Sequence, residues 1–301
     1  MTFILQKIIK KSQISTIDYG RKIRLNCPQI INKYEKSDFI DICNIKSNVQ
    51  ICFNIKDQLL YIFKIYNMND EESELLYERE LTIYQNIENK SPFISKFFGT
   101  FDQSPLKYLV LQYIEGETLG TFITTKENIS HFDKIKIILE IIIGIEYIHY
   151  RGIVLRDIKY DNIIIDSNND AFLIDFDSIK TNESTSMTCF LGNLIFASPE
   201  QYYEKIYSFK SDAYSVGMII HFILTEKKLD DIITDDFRDR IFASKQNILS
   251  FKEIPSLSEE YQYLKDLYQK CLSFCPDSRP TMNQLFKNII QAANNRFNDE
   301  Q

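Results

Sequence analysis

Asp157, Lys159 and Asn162 lie in Leu155-Arg156-Asp157-Ile158-Lys159-Tyr160-Asp161-Asn162, and Asp175 lies in Phe172-Leu173-Ile174-Asp175-Phe176-Asp177. Oxygen ligands grouped beside a lysine are what Mg²⁺ and a triphosphate need. Carboxylate and amide oxygens suit the hard cation, and the ammonium balances phosphate charge. The intervening residues predict how the four groups meet. Ile163-Ile164-Ile165, then Ser167-Asn168-Asn169-Asp170, then Ala171-Phe172-Leu173-Ile174 read as a hairpin with a polar turn. If Asp166 pairs with Ala171, Asn162 falls opposite Asp175 at the open end, with Asp157 and Lys159 on the loop just before. A surface hairpin with solvated acids would account for one such aspartate. It is a poor account of Asp, Lys, Asn and Asp in this order and spacing.

Other elements must position these groups. Residues from about 34 to 66 are strand-like and rich in Ile, Tyr and Phe, and 71–88 read as a helix opening on Asp70-Glu71-Glu72. Two more strand-like runs follow at about 93–101 and 107–113, and from about 131 the chain is mostly helical. A strand-rich half followed by a helix-rich half is an α+β layout. Alternation in Leu59-Leu60-Tyr61-Ile62-Phe63-Lys64-Ile65-Tyr66 puts Leu60, Ile62 and Lys64 on one face. A lysine there needs a partner, because an unpaired buried ammonium is costly. Glu80, Ile83, Tyr84 and Ile87 follow helical spacing, which makes Glu80 the inward partner. Glu78 competes, but it lies nearly opposite on the helix and should face solvent.

The catalytic segment resembles the protein-kinase loop H-R-D-x-K-x-x-N followed by D-F-G, with Leu155 at the His position and Asp177 at the Gly position. A Lys64–Glu80 pair resembles the strand-lysine to helix-glutamate pair of that family. Tyr108-Leu109-Val110-Leu111-Gln112-Tyr113-Ile114-Glu115-Gly116 looks like the last small-lobe strand entering the hinge. Ser198-Pro199-Glu200 resembles A-P-E, and Ser211 to Gly217 resembles D-x-W-S-x-G with Tyr214 in place of Trp. Cys271 to Pro276 with Arg279 and Pro280 resembles the closing C-x-x-x-x-P-x-x-R-P segment.

The resemblance implies a two-lobed kinase-like fold over 34–292, with N-lobe 34–112, hinge 113–116 and C-lobe 117–292. An extension, 1–33, precedes it, and a polar tail, 293–301, follows. It implies ATP and Mg²⁺ as cofactors and transfer of the γ-phosphate to protein serine or threonine hydroxyls. Asp157 would accept or orient the hydroxyl proton, and Lys159 would stabilise γ-phosphate charge. Asn162 and Asp175 would hold the metal, and Lys64, held by Glu80, would position the α/β-phosphates. Val49, Ile62, Leu111 and Ile164 would surround the nucleotide, with backbone groups of Gln112 and Ile114 on adenine. Asp212 would brace the catalytic-loop backbone, and Arg279 would pair with Glu200. Leu155 with Tyr84, Phe97 and Phe176 would complete an internal apolar column. An upstream kinase could act on Thr181, Ser184, Thr185, Ser186 or Thr188, ordering that segment through Arg156.

The match fails over the phosphates. Counting back from Lys64, the glycine positions of G-x-G-x-x-G-x-V fall on Ile42, Asn44 and Ser47, with Val49 at the valine. The chain has no glycine between Gly20 and Gly99. Glycine matters there because backbone N–H groups must approach phosphate closely. Ile62 adds bulk where ordinary kinases carry alanine, and Asn193 stands where serine/threonine kinases usually have threonine. The rival reading is a pseudokinase, a kinase-shaped scaffold that binds nucleotide or does without it. A phosphotransferase of the aminoglycoside kind would share the loop but not the Ser198-Pro199-Glu200 and Arg279-Pro280 elements.

Composition bounds the remainder. With 301 residues, 44% hydrophobic and 26% charged, the chain reads as globular. A net charge of −7 without a long basic run argues against nucleic acid as a partner. Six cysteines, 27, 43, 52, 189, 271 and 275, show no CxxC or zinc spacing, which suits reduced thiols in a cytoplasmic protein. Ile137 to Ile148 contains Glu140 and Glu146 and reads as a buried helix, not a transmembrane segment. Residues 3–11 could form a short basic amphipathic helix, and the N-terminus does not read as a secretory signal.

Overall fold

A computed structural model describes residues 34–176, 195–228, 233–245, 248 and 254–299. The chain divides into two compact units at Glu115–Gly116. The first is strand-rich and the second mostly helical.

The first unit is a five-stranded antiparallel sheet in the order β1-β2-β3-β5-β4. Its strands are β1 Phe39–Lys46, β2 Val49–Asn54, β3 Leu60–Asn67, β4 Phe97–Gln103 and β5 Leu106–Gln112. Alternation does on β3 what period-two patterning requires. Tyr61 and Phe63 enter an aromatic core with Tyr34, Phe39, Tyr108 and Phe101, while Lys64 and Tyr66 are buried on the other face. Rings of Phe39 and Phe63 lie 4.9 Å apart, and the Lys36 ammonium closes that core over Phe63 at 5.1 Å.

Helix α1, Glu71–Ile87, starts where Asp70 accepts from the Ser73 N–H and three glutamates fill the first turn. It buries Tyr77, Glu80, Ile83, Tyr84 and Ile87. The strand expected at 93–101 begins only at Phe97. Pro92 lacks a donor for a ladder, and the Asn89 side chain clamps Phe97, with its Nδ2 donating to Phe97 O and its Oδ1 accepting from Phe97 N.

The second unit opens with β6 Gly116–Thr118, paired to β7 Ile163–Asp166 and through it to β8 Ala171–Leu173. Gly116, expected as the last hinge residue, therefore belongs to a strand. A Cβ there would lie 2.2 Å from Ile165 O, so only glycine fits. Helix α2 is Leu119–Thr125 and α3 is His131–Tyr150. The apolar run 137–148 is the buried centre of α3, and its Glu140 is used within the protein, accepting from Ala171 N at 2.8 Å. Among the described residues no helix is long and apolar enough to cross a membrane.

Helices α4 Pro199–Glu204, α5 Phe209–Thr225, α6 Asp235–Ser244, α7 Gln262–Cys271 and α8 Met282–Asp299 complete this unit. Capping boxes at Ser198 and Ser208 start α4 and α5. Residues 293–299 of the expected polar tail are the last turns of α8, which runs through Asp299 with Ala293 buried.

Candidate active site

In the first unit, cross-strand register sets one face of the sheet. Val49 stands opposite Lys64 and Ile51 opposite Ile62, while Lys64 and Ile62 stand opposite Leu109 and Leu111. Val49, Ile62, Lys64 and Leu111 therefore share a face. Lys64 Nζ lies 2.6 Å from Glu80 Oε1, and both side chains are less than a tenth exposed. Glu78 points outward and meets Lys107 at 3.7 Å with 59% of its side chain exposed. The helical period thus picked the right glutamate. The Tyr66 hydroxyl, absent from the sequence reading, also donates to Glu80. The Gln112 N–H is taken by Lys96 O at 2.8 Å, so its carbonyl is what it could present to a ligand. Ile114 follows β5 outside regular structure. Tyr84 stacks on Phe97 at 5.4 Å, which is this unit's part of the expected apolar column.

Ile42, Asn44 and Ser47 fall on β1 and the turn before β2. None adopts a positive φ. The hairpin closes through a two-residue turn between Lys46 and Val49, with register shifts at Asp41/Cys43 and Asn44/Lys46.

In the second unit, the loop before β7 gathers three expected residues. Lys159 Nζ lies 2.5 Å from Asp157 Oδ2. Asn162 Nδ2 donates to Asp157 O at 3.1 Å and to Asp157 Oδ2 at 3.3 Å. The amide is thereby oriented, with its carbonyl oxygen left for another electron-pair acceptor. The hairpin register differs from expectation by one residue. Ile165, not Asp166, pairs with Ala171, so Asn162 lies beside Ile174, whose N–H donates to Asn162 O at 3.0 Å. The cause is a tighter turn. Asp166 Oδ1 accepts from Asn168 N and Asp170 N, and Asn169 takes φ 58°, so three residues suffice for the loop. Asp175 follows with φ 64°, a left-handed conformation that aspartate tolerates better than most residues. Ile164 is half-buried on the face opposite Ile163 and Ile165. Leu155 and Phe176 are both buried.

A buried brace holds the loop. Asp212, 1% exposed, accepts from Leu155 N at 2.8 Å, Arg156 N at 3.0 Å and His149 Nε2 at 2.8 Å. Arg156 has φ 71°, and its carbonyl accepts from Gln201 Nε2 at 3.2 Å. The reading of Asp212 came from resemblance, whereas His149 and Gln201 carried no distinguishing signal. Farther on, all five N–H donors of Arg279 are used. They reach both Glu200 oxygens at 2.5 and 2.9 Å and the carbonyls of Lys210, Ser273 and Phe274. The guanidinium also stacks over Tyr214 at 5.1 Å. Asp177, Thr181, Ser184, Thr185, Ser186, Thr188 and Asn193 lie outside the described residues, as do 1–33.

No group of three or more His, Cys, Asp or Glu residues able to hold a metal occurs among the described residues. One carboxylate, Asp175, with one oriented amide, Asn162, nevertheless fits Mg²⁺. That ion keeps waters and takes phosphate oxygens rather than a full protein cage. No cysteine among 43, 52, 271 and 275 is in a disulfide.

Residues 46–289 match the protein kinase domain family. A probable serine/threonine-protein kinase of Dictyostelium discoideum is 30% identical over 237 residues, covering 77% of this chain and 55% of that protein. Serine/threonine-protein kinase PrkC of Bacillus subtilis is 28% identical over 173 residues, 56% of this chain and 26% of its own. Mitogen-activated protein kinase kinase 1 of Arabidopsis thaliana is 27% identical over 177 residues, 58% of this chain and 49% of its own. The chain thus spans at most about half the length of these relatives. The family match covers most of the chain and takes in Lys64, Glu80, Asp157, Asn162 and Asp175: the chain belongs to the protein kinase family, alongside serine/threonine kinases.

Proposed function

We propose that the protein is an active serine/threonine kinase that transfers the γ-phosphate of ATP to protein hydroxyls, and that its kinase domain is 34–292. The observation that carries this is the Asp157 carboxylate, held by Lys159 Nζ at 2.5 Å and by the Asn162 amide at 3.3 Å on one short loop. A carboxylate fixed in this way can accept the proton of an incoming hydroxyl. Lys159 supplies positive charge where the γ-phosphate would sit, and Lys64, fixed by Glu80, supplies it to the α/β-phosphates. Asn162 Oδ1 and Asp175 would hold Mg²⁺, which neutralises phosphate charge when bound. Val49, Ile62, Leu111 and Ile164 offer apolar surface to a base, with the Gln112 carbonyl and the Ile114 backbone as its polar partners. The thiol usage supports a cytoplasmic setting, and the serines and threonines at 181–188 are the sites proposed for an upstream kinase.

A second reading, a pseudokinase scaffold, is favoured by two observations: the phosphate-covering hairpin has no glycine, and Ile62 puts bulk on the Lys64 face. ATP turnover with Mg²⁺ and a generic protein acceptor decides between them, run beside Asp157→Asn. Turnover abolished by Asp157→Asn is the expected result. No turnover and no MgATP thermal shift refutes both the enzyme and nucleotide binding, whereas a shift without turnover selects the scaffold. Turnover surviving Asp157→Asn refutes the role given to Asp157.

A further inference from the structure

Glu80 is gripped from one strand at two points. Lys64 and Tyr66 stand two residues apart on β3, so their side chains leave the same face. Lys64 takes Glu80 Oε1 at 2.6 Å, and the Tyr66 hydroxyl donates to Oε2. The phenol is buried and its ring packs edge-on against Tyr77 of α1 at 5.5 Å. Tyr77 and Glu80 are three residues apart on the helix, so one helical face encloses one tyrosine. Burial, reinforced by the charge of Glu80, pushes the Tyr66 hydroxyl pKa up, so it stays a donor at working pH.

A lysine alone is a weak register pin. Its four-carbon stem is flexible, and a carboxylate held by one oxygen can swing about its last torsion. A second bond to the other oxygen fixes the carboxylate plane. In the catalytic reading, Lys64 must also serve phosphate, and its grip on Glu80 is then shared. The Tyr66 bond is not.

We propose that Tyr66 is a positioning residue whose hydroxyl holds the Glu80 carboxylate, and with it α1, in the Lys64-paired position whether or not nucleotide is bound. Only the kinetic consequence rests on the catalytic reading, because the clamp is a property of β3 and α1. Tyr66→Phe keeps the ring and its Tyr77 contact and removes the hydroxyl.

The test is amide hydrogen exchange across α1 in the nucleotide-free full-length chain, with far-UV circular dichroism to confirm folding. Tyr66→Phe should speed exchange of the α1 amides by roughly tenfold or more, the scale of a lost bond to a charged group. In a Glu80→Leu background the same substitution should change exchange by less than about twofold, since the coupling partner is gone. Kinetically, the KM for MgATP should rise by roughly tenfold while kcat changes by less than about threefold. Unchanged α1 exchange in Tyr66→Phe overturns the clamp, as does an equal effect in both backgrounds. A parent chain without turnover whose α1 exchange still responds as stated supports the clamp and sinks only the catalytic reading.

Discussion

Asp212→Asn tests how the catalytic loop is held. The native carboxylate serves three donors, two of them the backbone N–H groups of Leu155 and Arg156. Arg156 is left-handed at φ 71°, which costs a non-glycine residue about 1–2 kcal/mol. The amide of asparagine has one oxygen. Its best orientation keeps that oxygen on Leu155 N and His149 and turns its NH₂ toward the Arg156 N–H, so two donors face each other. That loses one bond to a charged acceptor, about 1.5–3 kcal/mol. The two that remain lose their charge assistance, which is about half of their strength. The combined loss is about 3–6 kcal/mol; the two weakened bonds that remain, about 1.5–3 kcal/mol, no longer outweigh the strain at Arg156 together with its unpaired N–H, itself about 1–3 kcal/mol, and the loop relaxes.

A balance of about 1–2 kcal/mol against the held conformation lowers kcat by roughly 5- to 30-fold. The KM for MgATP should change little, because Lys64 and Glu80 are untouched. Steady-state phosphorylation of a generic acceptor measures both constants. Amide exchange at Leu155 and Arg156 gives a readout independent of turnover, and should quicken. A folded Asp212→Asn protein with kcat within about threefold of the parent and unchanged exchange at these two amides would refute the reasoning.

Three further outcomes follow from named contacts. Ile62→Ala should tighten MgATP binding about fivefold or more, by relieving bulk on the Lys64 face; titration calorimetry showing equal or weaker binding would sink that idea. Arg279→Lys replaces five donors with three and should lower stability by about 3–5 kcal/mol. The chain has no tryptophan, so urea unfolding is followed by circular dichroism, and a loss under about 1 kcal/mol would count against it. His221 on α5 is 1% exposed, with neither ring nitrogen hydrogen-bonded among the described residues, and burial pulls its pKa down to about 4. The unfolded chain binds that proton from about pH 6.5 downward, so stability should fall by roughly 3 kcal/mol between pH 6.5 and 4. His221→Leu should flatten that slope, and an unchanged slope would exclude His221 as its source.

Much of the fold was legible because periodicity and burial agree. Glu80 could be told from Glu78 by helical spacing alone, since a carboxylate on the apolar stripe of α1 has to meet a cation. Asp212 and Arg279 were readable only through resemblance, since nothing local says that an acid in a first helical turn will reach two amides of a distant loop. The hairpin register slipped by one because Asn169 was not recognised as left-handed, and one such residue shortens the turn. Tyr66 escaped for a different reason. On a buried face a tyrosine is already accounted for by its ring, and the pattern does not reveal where its hydroxyl goes.

The glycine-free hairpin is where sequence and structure say different things. Glycine matters in such a hairpin for close approach to phosphate and for φ values that a Cβ penalises. Yet Ile42, Asn44 and Ser47 all keep ordinary φ values, and the register shifts leave Ile42 and Ile45 without cross-strand partners, each more than half exposed. A bulge gives the chain its bend without glycine and turns the extra side chain outward. In this conformation the hairpin needs no left-handed residue at these three positions. What glycine would still supply is the absence of a Cβ where phosphate approaches, and of the three positions only Asn44 and Ser47 remain to matter for that. Both are small and polar, and a serine at the turn brings a hydroxyl donor of its own. The bulk that weighs against nucleotide is concentrated at Ile62, which shares its face with Lys64. On the kinase reading proposed above, any weakness in catalysis should therefore trace to how the base is seated beside Ile62, with Lys64, fixed by Glu80 and Tyr66, left to serve the phosphates.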